Sequence, residues 1–246
     1  MRYHLIIAVL TMVLTACSGS DHAPQPSSAT DAGSSDGRTS TADRQANSAP
    51  DAAALAGLHG RRGELLNPDA STMVFLYYDL AGLTPPFDEW VERDMRVQSA
   101  PAIDKAARRA SVRSELEAAS RAVRDVGLIR VSMNADLSDY DPANAEFTVG
   151  ALAPSSYLAF DAFGEKIAVN FANGRTAQIW SVPADQAQSI RDRIGPGRDV
   201  SIDALLRITA VQPRAGGGAV TTSVVEYDLR SGKSGPAIAH RSMTGT

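Results

Sequence analysis

At Gly127 the hydrophobic period of this chain changes, and that change constrains the fold more than any other feature. Upstream, Val112, Leu116, Ala119, Val123 and Val126 recur at helical spacing and line one face. Downstream, Ile129, Val131, Met133, Ala135 and Leu137 alternate with Arg130, Ser132, Asn134 and Asp136. That is the pattern of a half-buried strand. A chain that reads helical first and stranded afterwards has an α+β fold.

Three helices are predicted upstream. The first spans about 68–81, opened by Asn67-Pro68-Asp69 and closed by Gly82, with Met73, Val74, Tyr77, Leu80 and Ala81 buried. The second spans about 85–97, with Asp88 and Glu89 near its positive N-terminal end. The third runs from about 102 to 126 and stops at Gly127. Further strands are expected near 145–152, 156–162, 165–171, 175–182, 200–211 and 219–229. Pro213-Arg-Ala-Gly-Gly-Gly is a turn signal, and Pro183 opens a short inserted helix over 183–194. The expected architecture is N-terminal helices packed on a mainly antiparallel sheet of about seven strands. Residues 61–233 form the single domain, and 234–246 are a flexible tail.

The N-terminus points to location. Arg2 precedes an almost unbroken apolar run, Leu5 to Leu14. A membrane-spanning helix needs roughly 20 apolar residues, so 1–16 are expected to be a signal peptide rather than a permanent span. Leu14-Thr15-Ala16-Cys17 resembles the lipobox of bacterial lipoproteins. That resemblance implies a diacylglycerol thioether and an amide-linked acyl chain, typically palmitate, on Cys17, whose partner is the lipid bilayer. Each buried methylene contributes about 0.8 kcal/mol, so two or three chains hold a protein firmly. Ser18, where an inner-membrane retention signal would place Asp, implies outer-membrane delivery facing the periplasm. The alternative is an ordinary signal peptide with an incidental Cys. Because Cys17 is the only cysteine, no intramolecular disulfide forms.

Residues 17–60 carry few large apolar side chains, and none from Ser18 to Pro50. They are expected to form a disordered tether after the lipidated Cys. A flexible chain of this kind reaches roughly 30 Å, from about 5–6 Å times the square root of residue number.

No histidine or cysteine occurs between Arg61 and Lys233. His59 and His240 flank that span. The gap argues against a Ser-His-Asp triad, a Cys nucleophile or a His/Cys zinc site within it. No catalytic, cofactor-binding or metal-ligating residue is assigned, and no cofactor is expected. The loop from Asp136 through Asp139, Asp141 and Asn144 to Glu146 gathers oxygens, but its spacing is not that of a calcium loop. Asp and Asn there serve a turn. Asp79, Asp88, Glu89, Asp161 and Glu165 are conceivable members of a glycosidase-type carboxylate pair. Lys105, Arg108, Arg109, Arg113, Arg121 and Arg124 are interleaved with Asp104, Glu115, Glu117 and Asp125, which reads as a solvated helix face rather than an anion-binding stripe. The net charge of −4 disfavours nucleic acid as a partner. Tyr77, Tyr78, Trp90 and Trp180 read as core, with a binding patch the alternative.

Residues 76–94 (LYYDLAGLTPPFDEWVERD), 133–142 (MNADLSDYDP) and 183–194 (PADQAQSIRDRI) resemble an uncharacterised domain of proteobacterial lipoproteins and periplasmic proteins. The resemblance covers roughly 65–230 and implies no established activity. The expected function is therefore a membrane-anchored, non-enzymatic periplasmic lipoprotein that binds an envelope partner or supports the envelope. The alternative is a histidine-independent carboxylate hydrolase acting on envelope glycan.

Overall fold

The computed structural model describes residues 57–58, 60–195, 199–232 and 235–243. The expected signal peptide over 1–16, Cys17, nearly all of the expected tether over 17–60, and His59 lie outside the described residues. Among the described residues no helix is long and apolar enough to cross a membrane.

The fold is mixed α+β. The element order is β1 (Gly63–Leu66), α1 (Ala70–Leu80), α2 (Phe87–Arg93), α3 (Met95–Gln98), α4 (Lys105–Ala122) and β2 (Val126–Asn134). Then come β3 (Glu146–Thr148), a 3-10 turn (Gly150–Leu152), β4 (Tyr157–Ala162), β5 (Glu165–Phe171), α5 (Gly174–Ala177) and β6 (Ile179–Ser181). The chain continues with α6 (Ala184–Ile194), β7 (Val200–Arg214), β8 (Gly217–Ser231) and β9 (Ala237–Ser242). Seven strands form one sheet in the order β1-β2-β7-β8-β5-β4, with β9 also on β8, while β3 and β6 form a separate pair. Most pairings are antiparallel. β1 with β2 and β5 with β8 are parallel.

The fifteen-residue β8 organises the large sheet. Along one edge its first part pairs with β5 and its last part with β9. Between them a bulge interrupts the β7 ladder, where Leu205 faces Glu226 and Leu206 faces Val224. Asn173 satisfies the backbone there: its amide donates to the Val224 carbonyl at 2.9 Å and its carbonyl accepts from the Val224 N–H at 2.8 Å. This anchoring turns 174–177 into a short helix where a strand was expected over 175–182, leaving only Ile179–Ser181 extended.

Several boundaries differ from the sequence reading. The first helix is capped by Asp69, which accepts from the Thr72 N–H at 2.7 Å. Asn67 instead has a positive φ of 43° and bonds Ser132. The helix has no single buried side, because Met73 through Tyr78 are all buried. The second helix breaks at Asp94, whose extended backbone and carboxylate cap α3. The third ends at Ala122, before Gly127. Gly127 lies inside β2, where a Cβ would sit 2.6 Å from the Arg61 carbonyl oxygen. Ala119 is exposed. Residues 237–242, expected in a flexible tail, form β9.

One core joins α1 to the inward side chains of the strands, among them Ile129, Ile167, Ile202, Leu206, Tyr227 and Leu229. A second small core joins Val91, Val97 and Val112, so α4 packs chiefly through other helices.

Candidate functional site

The alternation that buries one face of the large sheet turns polar side chains to the other. Ser132, Asp203, Asp228 and His240 stand in register across β2, β7, β8 and β9. Arg130, Leu205, Glu226 and Ser242 form the neighbouring row, and Asn134, Ser201 and Arg230 the row on the other side. At the β2–β7 end lies a hollow of about 680 Å3 lined by Asn67, Ser132, Asn134, Asp199, Ser201 and Asp203.

Asp203 and Asp228 are directly opposed, a placement that costs stability unless countered. Each is countered from a different side. Arg230 Nε donates to Asp203 at 2.9 Å, and the Ser132 hydroxyl donates to the other carboxylate oxygen. His240 Nδ1 lies 2.8 Å from Asp228, and His240 Nε2 lies 3.1 Å from Ser242 Oγ. One row over, Arg130 Nε donates to Glu64 at 2.9 Å and its Nη2 reaches Glu226 at 3.5 Å. Glu64, and more weakly Glu226, raise the Arg130 pKa further. The face is thus a mixed-sign network of directional groups.

The sequence candidates fall elsewhere. Asp79 pairs with Arg61 at 2.6 Å, Asp88 with Arg113, Glu89 with Arg93, and Glu165 accepts from the Tyr78 hydroxyl at 2.9 Å. Asp161 faces Lys166 across the β4–β5 hairpin. Four of these five carboxylates thus have structural partners. In the 136–146 loop Asp141 accepts from the Ala143 N–H at 2.8 Å and the Asn144 amide at 2.8 Å, as a turn requires. Among the described residues no group of three or more His, Cys, Asp and Glu side chains is placed to hold a metal ion. The α4 arginines are largely paired: Arg109 with Glu92, Arg113 with Asp88 and Glu117, Arg121 with Glu117. Tyr77, Tyr78, Trp90 and Trp180 are buried.

Sequence reasoning misses the His240–Ser242 end of the face because residues 237–242 show no apolar alternation: Ile238 is buried while His240 and Ser242, two and four residues on, are exposed, a bulge in the β8–β9 ladder having shifted the register. No family model, curated protein or solved structure matches this chain.

Proposed function

We propose that this chain is a lipid-anchored periplasmic lipoprotein, held in the outer membrane through acylated Cys17, whose domain binds an envelope partner through the polar face of its large sheet. The observation that carries this reading is the asymmetry of the sheet. One face is buried in the core, while the other presents the Ser132–Asp203–Asp228–His240 row to solvent among the described residues. Helix α1 backs the sheet from its core side, and α2, α3 and α4 pack on one another and α1. The lipobox match and the resemblance to a lipoprotein domain support the location. No observation favours the glycan hydrolase, whose candidate carboxylates are mostly engaged in structural contacts.

The test is in-cell crosslinking followed by purification, comparing the native chain with Cys17→Ala and with Ser132→Arg. The expected result is an envelope protein crosslinked to the native chain and lost in both variants. If Cys17→Ala stays membrane-bound with unchanged mass, the anchor is wrong. If Ser132→Arg crosslinks as well as the native chain, the sheet face is wrong.

A further inference from the structure

We infer that Ser242 is an activated hydroxyl nucleophile, with His240 as its general base and Asp228 as the group that orients that base, and that it transfers acyl groups from carboxylic esters. This adds an activity to the face described above and does not depend on the binding reading.

The arrangement follows from strand geometry. His240 and Ser242 are two residues apart on β9 and so share a face, and Asp228 stands opposite His240 on β8. The result is a continuous chain: Asp228 Oδ1 to His240 Nδ1 at 2.8 Å, and His240 Nε2 to Ser242 Oγ at 3.1 Å. An ionised carboxylate only accepts hydrogen bonds, so Nδ1 carries the proton. In the neutral ring Nε2 is then the acceptor, and the Ser242 hydroxyl donates to it. Nucleophile within reach of base, and base held by a third group, is the geometry that activates serine, whatever the order in sequence.

The step balances. Ser242 Oγ attacks the ester carbonyl carbon as its proton passes to His240 Nε2. The bond from that carbon to the leaving oxygen breaks, and the alcohol departs with the proton from His240. Water, deprotonated by the same nitrogen, then attacks the acyl-Ser242. The acid is released and the hydroxyl restored, so ester plus water gives acid plus alcohol. Asp228 stabilises the imidazolium formed in each half. The Met243 N–H donates to the Val225 carbonyl of β8, so strand alternation turns the Ser242 N–H away from β8 and leaves it outside that ladder.

Two features select the substrate. The His240 side chain is 57% exposed, so the site sits on an open surface and admits an ester displayed on a larger body. Glu226 stands opposite Ser242, and Asp203 opposite Asp228, so a neutral or cationic ester is favoured over an anionic one.

The experiment mixes the purified full chain with p-nitrophenyl acetate, follows nitrophenol release, and maps the acetyl group by peptide mass spectrometry. The expected result is an acetyl group on Ser242. Ser242→Ala abolishes that adduct, and His240→Gln slows release by about 100-fold, the lower end for a positioned general base. Circular dichroism of both variants reports whether they remain folded. Release from Ser242→Ala at the native rate, or acetyl found on His240 or a lysine and not on Ser242, overturns the assignment. A p-nitrophenyl ester bearing a carboxylate on its acyl chain is expected to react more slowly than the acetate. An equal or faster rate overturns the substrate preference.

Discussion

The Tyr77 hydroxyl donates to the carbonyl of Gly217 at 2.6 Å, joining residues 140 positions apart. Tyr77 is buried on α1, and Gly217 opens β8 beside the turn from β7. One hydrogen bond thus ties the helical half of the chain to the hairpin at the centre of the sheet.

Replacing Tyr77 with Phe keeps the ring and removes one hydrogen bond to the Gly217 carbonyl, which still faces Arg214 in the β7–β8 ladder. Loss of one such bond costs about 0.5–1.5 kcal/mol. Tyr77→Phe is expected to lower the urea midpoint without changing the slope. Tyr77→Leu is expected to lower it further, because it also removes the edge-to-face contact with Tyr78 at 5.5 Å.

Gly216 and Gly217 are expected to respond very differently to alanine. Both have positive φ, 71° and 134°. A Cβ on Gly216 meets nothing within 4 Å, so Gly216→Ala incurs only the left-handed backbone penalty of about 1–2 kcal/mol. A Cβ on Gly217 would lie 2.1 Å from the Lys166 carbonyl oxygen of the paired strand. Gly217→Ala is expected to cost several times as much and to disturb the β5–β8 ladder. Amide exchange at 166–171 reads that disturbance.

Alkaline stability should fall from about pH 10 upward, the ordinary tyrosine range. Burial raises the pKa of Tyr77, Tyr78 and Tyr227, and the Glu165 carboxylate beside Tyr78 raises that group further. A raised folded pKa means that the unfolded chain loses its proton first. The stabilisation is therefore complete below the unfolded value and is lost as pH rises through the folded value. Thermal melting across pH 8–12 measures it. In Tyr78→Phe the decline should be shallower.

Asp69 is the operative cap of α1, and its pKa is lowered first by the Thr72 N–H. Asp69→Ala is expected to cost about 1 kcal/mol, and Asp69→Ser much less. A lowered folded pKa makes this contribution present above the ordinary aspartate value, near 4, and lost as pH falls through the folded value. The native-minus-Asp69→Ala difference in denaturant midpoint should therefore shrink at acid pH. By contrast Asn67→Ala should act through Ser132, whose N–H it binds at 2.7 Å, rather than through the helix.

What the sequence made legible was local. The β2 alternation is present in the structure because one face is core and the other solvent, and the Phe163-Gly164 and Ala215-Gly216 turns join the two expected hairpins. What it hid was set by distant backbone. Gly127 read as a helix stop because nothing local shows that Arg61 passes close by. The short helix at 174–177 depends on Asn173 finding a bulge 51 residues away. The polar face is invisible as a site because its rows draw one residue from each of three or four strands, and because β9 carries no apolar alternation to mark it as a strand.

The Asp203–Arg230 pair should be worth more than its exposure suggests. The two side chains are 27% and 36% exposed, a setting in which an isolated pair contributes about 0–1 kcal/mol. Here, however, Asp203 also faces Asp228, so Arg230 offsets a cross-strand repulsion as well as making a contact. Arg230→Met leaves two carboxylates opposed across β7 and β8, with His240 countering only Asp228. It is expected to destabilise the fold by about 1–2 kcal/mol, more at low salt because screening weakens the repulsion. Asp203→Asn in the Arg230→Met background should recover most of that loss. A double-mutant cycle in urea, at low and high salt, measures the coupling. If Asp203→Asn recovers nothing, the loss comes from the arginine stem packing on the sheet, and the opposed carboxylates contribute little.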